Sequence, residues 1–82
     1  GLQGEIFERR GRKDEALASY SSALSIVDDA IDRLEIRERR AALYLALGRR
    51  DEARADARLG LGEARALDHA AAIAAFEKIL AD

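Results

Sequence analysis

Cysteine and proline are both missing from this 82-residue chain. Without cysteine there is no disulfide framework, no thiolate metal site and no thiol chemistry. The lack of proline, together with abundant alanine, leucine, arginine and glutamate, gives a strongly helical composition. Aromatic residues are scarce. Phe7, Tyr20, Tyr44 and Phe76 are the only ones, so the rest of any core is aliphatic and fine-grained. Long apolar runs are missing too. Ala41–Leu47 and Ala70–Phe76 reach seven residues each, far below the roughly 18 needed to span a bilayer. There is no surplus of positive charge: 14 basic and 16 acidic residues, well mixed, leave a net charge of −2. Non-specific nucleic-acid binding needs a basic surplus to displace counterions, so that class is disfavoured. No signal-like segment is evident. With no secretory or membrane signal, a cytoplasmic location is the expectation.

A chain of this size is one small domain, residues 1–82, and buries only roughly 60–65% of its unfolded surface. It opens on Gly1 and enters a helical pattern at once, so it reads as a piece of a longer protein. Its most informative feature is a recurrence. Gly11-Arg12-Lys13-Asp14-Glu15-Ala16 returns as Gly48-Arg49-Arg50-Asp51-Glu52-Ala53, 37 residues later. The surroundings recur in register: Gly4 with Ala41, Ile6-Phe7 with Leu43-Tyr44, and Ala23-Leu24 with Gly60-Leu61. A period in this range marks an α-solenoid, in which each helical hairpin buries its apolar face against its neighbours.

The pattern predicts an all-α fold of about five helices, arranged as antiparallel hairpins. A first helix, Leu2–Arg10, is expected to close at Gly11, and a second to begin with Asp14 and Glu15 facing the helix dipole. The second carries one apolar stripe, Ala16, Leu17, Tyr20, Ala23, Leu24 and Val27. Asp28, Asp29 or Asp32 caps a third helix, which holds Ile31, Leu34, Leu43, Tyr44 and Leu47 and ends at Gly48. A fourth starts near Arg50 with a small-residue inner face at Ala53, Ala57, Gly60 and Ala64. A break at Leu67–His69, with Asp68 as cap, opens a fifth running to Leu80, striped by Ala72, Ile73, Phe76, Ile79 and Leu80. A single long helix from Arg50 to Ala81 is the competing reading, which Gly60 and Gly62 weaken. Repeat one then covers about residues 1–30, repeat two about 32–66, and a partial third about 67–82.

With these residues in place, the chain resembles the tetratricopeptide repeat family, whose units of about 34 residues combine small and aromatic positions across two helices. Gly4, Phe7, Gly11, Ala16, Tyr20 and Ala23 satisfy the family pattern in the first unit. Ala41, Tyr44, Gly48, Ala53 and Gly60 do so in the second, where Ala57 stands in place of an aromatic. The helix-ending proline is absent and the spacing is three residues longer. The units are most similar to the looser, longer repeats of bacterial multidomain regulators. The resemblance implies a protein–protein interaction scaffold, without enzymatic activity, cofactor or metal, that receives a peptide or helix on its concave face. It places Glu5, Glu8, Arg9, Glu35, Glu38, Ala42 and Leu45 on that face. These positions lack the asparagine of the family members that clamp carboxylate tails, and they lean acidic, which favours a partner with basic residues.

Other readings of the same residues are weaker. His69 is the lone histidine and has no convergent partners for metal or acid–base work, so it reads as a helix-start surface residue. Glu5, Glu8, Glu35 and Glu38 lack the Glu-x-x-His of carboxylate metal bundles. Gly60-Leu61-Gly62 follows a helix and lacks the lysine of a phosphate loop. Arg33, Arg37, Arg39 and Arg40, like Arg9, Arg10, Arg12 and Lys13, have acidic neighbours at helical spacing, such as Glu35 with Arg39. They read as solvated faces with weak ion pairs, the turn clusters being open to an acidic partner. The serines around Tyr20 suit a helix surface. The rival functions are a structural spacer or self-associating domain and, remotely, an enzyme with a carboxylate site. The stripe Ile73, Phe76, Ile79 and Leu80 has no following unit, so association through an exposed end helix is expected.

Overall fold

The structure, a computed structural model, describes the backbone of residues 2–81 and the side chains of residues 11–81. Four helices follow one another: α1 (Leu2–Ile26), α2 (Ala30–Ala46), α3 (Arg50–Ala66) and α4 (Ala70–Ala81). The all-helical composition produces an all-helical fold, with no strand among the described residues.

Each junction has a local cause. Of the three candidate aspartates, Asp29 caps α2: its side chain accepts the Asp32 N–H at 2.9 Å while its backbone is extended. Arg33, one turn into α2, donates to the Leu24 carbonyl at 2.5 Å and the Val27 carbonyl at 3.1 Å. These lie at the end of α1, where carbonyls lack partners within the helix. The α2–α3 turn is a Schellman closure. Arg49 N–H reaches Tyr44 at 2.8 Å and Gly48 N–H reaches Leu45 at 3.0 Å, with Gly48 at φ +76°. The α3–α4 turn repeats that geometry without glycine. His69 N–H reaches Ala64 at 2.9 Å and Asp68 N–H reaches Arg65 at 3.1 Å, and Asp68 takes the left-handed position at φ 54°. His69 Nδ1 then accepts the Ala72 N–H at 3.1 Å and caps α4.

The core lies where α2, α3 and α4 meet. Leu34, Ala41, Ala53, Ala57, Ala64, Ala72, Phe76 and Ile79 form it, with Tyr44, Leu45, Leu61, Ile73 and Leu80 packed against its rim. Phe76 is its largest fully buried side chain, and burying one such ring contributes up to about 3 kcal/mol. It fits because Gly60 presents bare backbone: a Cβ there would stand 2.6 Å from Cε1 and Cε2 of the ring and closer still to Cζ. Among the described residues α1 packs on α2 alone, whereas α4 packs on α3 and reaches back to α2. Leu17 and Leu24 are the buried residues among the described side chains of α1.

Four expectations need correction. The described residues form four helices rather than about five, because Gly11 lies inside α1 instead of ending a first helix at Arg10. A glycine within a helix costs only about 1 kcal/mol, and good helix formers flank this one. The Gly48 turn is held closed by the long α2–α3 contact, and the two GR(K/R)DEA segments are therefore not equivalent turns. Second, Asp68 supplies the left-handed residue that ends α3, and His69, not Asp68, caps α4. Third, the α4 stripe is not left open: Phe76 and Ile79 are buried and Ile73 and Leu80 half-buried. The α3–α4 break itself falls at 67–69 as expected, which rules out one long helix. Fourth, Ala53 and Gly60 are buried, but Ala16, Tyr20 and Ala23 are only half-buried.

Candidate docking surface

The half-buried residues of α1 mark an open groove. Arg12, Lys13, Ala16 and Tyr20 from α1 face Arg39, Ala42, Leu43 and Ala46 from α2 across a space of about 580 Å³. Its floor is apolar and its described charged lining residues are all cationic. Tyr20 and Arg39 also line a second, smaller space of about 290 Å³ beside the first, where Asp32 and Glu35 supply negative charge. The two spaces therefore follow the α1–α2 seam from a basic end to an acidic end. Arg39 is tied to Glu35 at 2.8 Å, the i,i+4 pair that the sequence predicted.

The 37-residue recurrence shows what is unusual about this seam. Arg12, Lys13, Ala16 and Tyr20 correspond to Arg49, Arg50, Ala53 and Ala57 on α3. Ala53 and Ala57 are completely buried in the core to which α2 contributes Leu34 and Ala41. Arg49 lies over the Tyr44 ring of α2 at 5.2 Å from its centroid, close enough for a cation–π contact. On α3 these positions receive a helix; on α1 the same positions are open.

The predicted partner-binding residues distribute unevenly. Ala42 lines the groove and Glu35 the space beside it, both exposed. Glu38 and Glu35 meet His69 and Ala72 in a small pocket of about 210 Å³ between the starts of α2 and α4. Leu45 packs against the core. The side chains of Glu5, Glu8 and Arg9 lie outside the described residues.

A polar cluster on the core side of α2 was not legible as such. Arg37 is buried, with 8% of its surface exposed, and so is Asp56, with 3%. Arg37 Nη1 lies 3.4 Å from Asp56 Oδ1 and its Nη2 2.9 Å from Glu63 Oε1, leaving Nε without a partner. Arg40 grips the same carboxylate with both prongs, Nε at 2.7 Å and Nη2 at 2.5 Å, and its Nη1 donates to Ser21 Oγ at 3.2 Å. The hydrogen bonds to Asp56 hold the Arg40 guanidinium above its ordinary pKa, outweighing the opposing pull of partial burial. The cluster ties α2 to α3 through Asp56 and Glu63 and to α1 through Ser21. The expectation of solvated arginines holds for Arg39 but not for Arg37, nor for Arg33 and Arg40, which are half-buried.

Among the described residues no group of three or more His, Asp or Glu side chains is placed to hold a metal ion. None of the described helices is long and apolar enough to cross a membrane. No family model, curated protein or solved structure matches the chain.

Proposed function

We propose that the chain is a protein-docking module of stacked helical hairpins, similar to the tetratricopeptide repeats, whose α1–α2 seam receives an amphipathic helix. The observation that carries this is the open groove at Ala16 and Tyr20, whose counterparts Ala53 and Ala57 are fully buried in the core. The path of the chain through α2, α3 and α4 supports a hairpin stack: α3 packs on both neighbours and α4 reaches back to α2. An apolar floor with charged margins suits a helix that lays down one apolar face. Docking is geometric and involves no bond making. The module would serve a larger regulatory protein, in the cytoplasm, by holding a partner segment in place.

The test is site-specific photocrosslinking. A benzophenone amino acid at Tyr20 should give adducts with a polypeptide, and the same group at the exposed Ala55 of α3 should not. Ala42→Arg, which fills the groove from an exposed position, should abolish the Tyr20 adduct. Equal labelling at the two sites, or none at Tyr20, would refute the docking role.

A further inference from the structure

We infer that the occupant of the α1–α2 groove is an acidic amphipathic helix, with carboxylates on both edges of its apolar face that meet Arg12 and Lys13. This rests on the docking reading of the groove and names the chemistry of the partner.

The floor fixes the shape of the guest. On α1 the half-buried residues Ala16, Tyr20, Ala23 and Val27 follow one another at steps of three and four, a single stripe along the helix. The stripe runs about 17 Å at 1.5 Å per residue, or roughly three turns. Across the seam α2 offers Ala42 and Ala46, both exposed, beside the half-buried Ile36 and Leu43. The alanines keep the floor low, so large apolar side chains from a partner can enter the open space of about 580 Å³. A helix that lays down one apolar face fits such a floor.

The rim fixes the charge of the guest. Arg12 and Lys13 are consecutive on α1 and so stand about 100° apart around it, one on each side of the line through Ala16 and Tyr20. Asp14 and Glu15, the next residues, turn away from that line and do not line the groove. Arg39, the third cation of the lining, is tied to Glu35 at 2.8 Å, and the charges of that pair largely cancel. Among the lining residues this leaves Arg12 and Lys13 at the larger space and Asp32 at the smaller one. Asp32 lies in the first turn of α2, where the helix dipole tempers its charge. A guest with carboxylates therefore gains most beside Arg12 and Lys13, where a basic guest would meet like charge. The sign is the reverse of the sequence expectation. Of the glutamates behind that expectation, Glu35 is engaged by Arg39 and Glu38 lines the separate pocket by His69.

A second copy of the chain offers no such helix among its described residues. Its exposed large apolar side chains, Ile26, Ile31, Leu59 and Leu67, are scattered one each over α1, α2, α3 and the turn after α3.

The experiment uses the intact chain and two probe peptides, each about four turns long, that share one leucine stripe on an alanine helix. One probe carries glutamates on both edges of the stripe in its first two turns; the other carries lysines at the same places. In fluorescence anisotropy the glutamate probe should bind at least about tenfold more tightly, an advantage that shrinks as salt is raised. Arg12→Glu with Lys13→Glu should reverse the preference and leave the helical circular-dichroism signal unchanged, since neither side chain belongs to the core. With benzophenone at Tyr20 the glutamate probe should form an adduct that Ala42→Arg abolishes. Equal binding of the two probes, tighter binding of the lysine probe, no binding of either, or a preference unmoved by the double variant overturns the inference. A dimer in sedimentation equilibrium that is lost on Ala42→Arg also overturns it, because the groove then holds a second copy. A Tyr20 photoadduct with a polypeptide other than this chain leaves the docking role standing in any of these cases. The absence of any Tyr20 adduct removes the docking role itself.

Discussion

Replacing Gly60 by alanine tests the packing of the core at its tightest point. On helix propensity alone the change should stabilise, by about 1 kcal/mol. The added methyl, however, would lie 2.6 Å from Cε1 and Cε2 of Phe76, with Cζ nearer still. Comfortable carbon contacts begin at about 3.5 Å, so ring or helix must move by roughly 1 Å. The ring is fully buried and has no open side to move into. Overpacking of this kind costs about 1–3 kcal/mol, and the end-on meeting with the ring places it near the upper figure. The net effect should be destabilisation by about 1.5 kcal/mol, or a fall of about 6–12 °C in Tm for a domain this small. Gly62→Ala is the control: its Cβ would meet nothing within 4 Å, so only the propensity gain remains and Tm should rise. In the Phe76→Leu background, where the far end of the ring is gone, Gly60→Ala should become neutral or stabilising. Thermal unfolding by circular dichroism reads all four variants. Were Gly60→Ala to raise Tm as Gly62→Ala does, the contact between Gly60 and Phe76 would be refuted.

Asp56→Ala should destabilise by about 3 kcal/mol, because it leaves the buried Arg37 with Glu63 alone and Arg40 without its forked partner; urea unfolding measures it, and a loss under 1 kcal/mol would contradict the buried network. Asp68→Gly should stabilise by roughly 1 kcal/mol, since the left-handed backbone at φ 54° is strained for any side chain, and an unchanged or lowered Tm would argue against that conformation. His69→Ala should cost about 1 kcal/mol by removing the Nδ1 acceptor from the start of α4, while His69→Asp should retain the cap; equal losses in both would rule capping out.

The helices from α2 onward were legible because each boundary carries a chemical mark: aspartate before α2, glycine after it, an acidic first turn in α3. Gly11 misled because the same mark can sit inside a helix when nothing packs across the turn it would make. The α3–α4 break was visible, but the division of labour between Asp68 and His69 was not, since either residue can end or begin a helix. Arg37 and Asp56 escaped notice for a different reason. Grouping arginines by closeness in sequence hid that Leu34, Arg37 and Ala41 share one helix face, while Ala53, Asp56, Ala57 and Gly60 share another. Opposite charges on the inner stripes of two adjacent helices were the signal to follow. The groove was foreshadowed by half of the evidence only: the repeat identified equivalent positions, but not that those on α1 would remain open.

Among the described residues α1 is attached to α2 alone, and this has a consequence for how the molecule comes apart. Amides of α2, α3 and α4 share one core and should exchange with solvent only when that core opens. Those of α1 are guarded by Leu17, Leu24 and a few polar ties, so they should exchange through a separate, easier opening. Load applied at the start of the chain would peel α1 away first and leave a three-helix remnant. Arg40 is where the two units are stitched, since it holds Ser21 on α1 and Asp56 on α3 at once. Cutting that stitch should widen the gap between the two exchange rates, with α1 loosened further and Asp56 still held by Arg37.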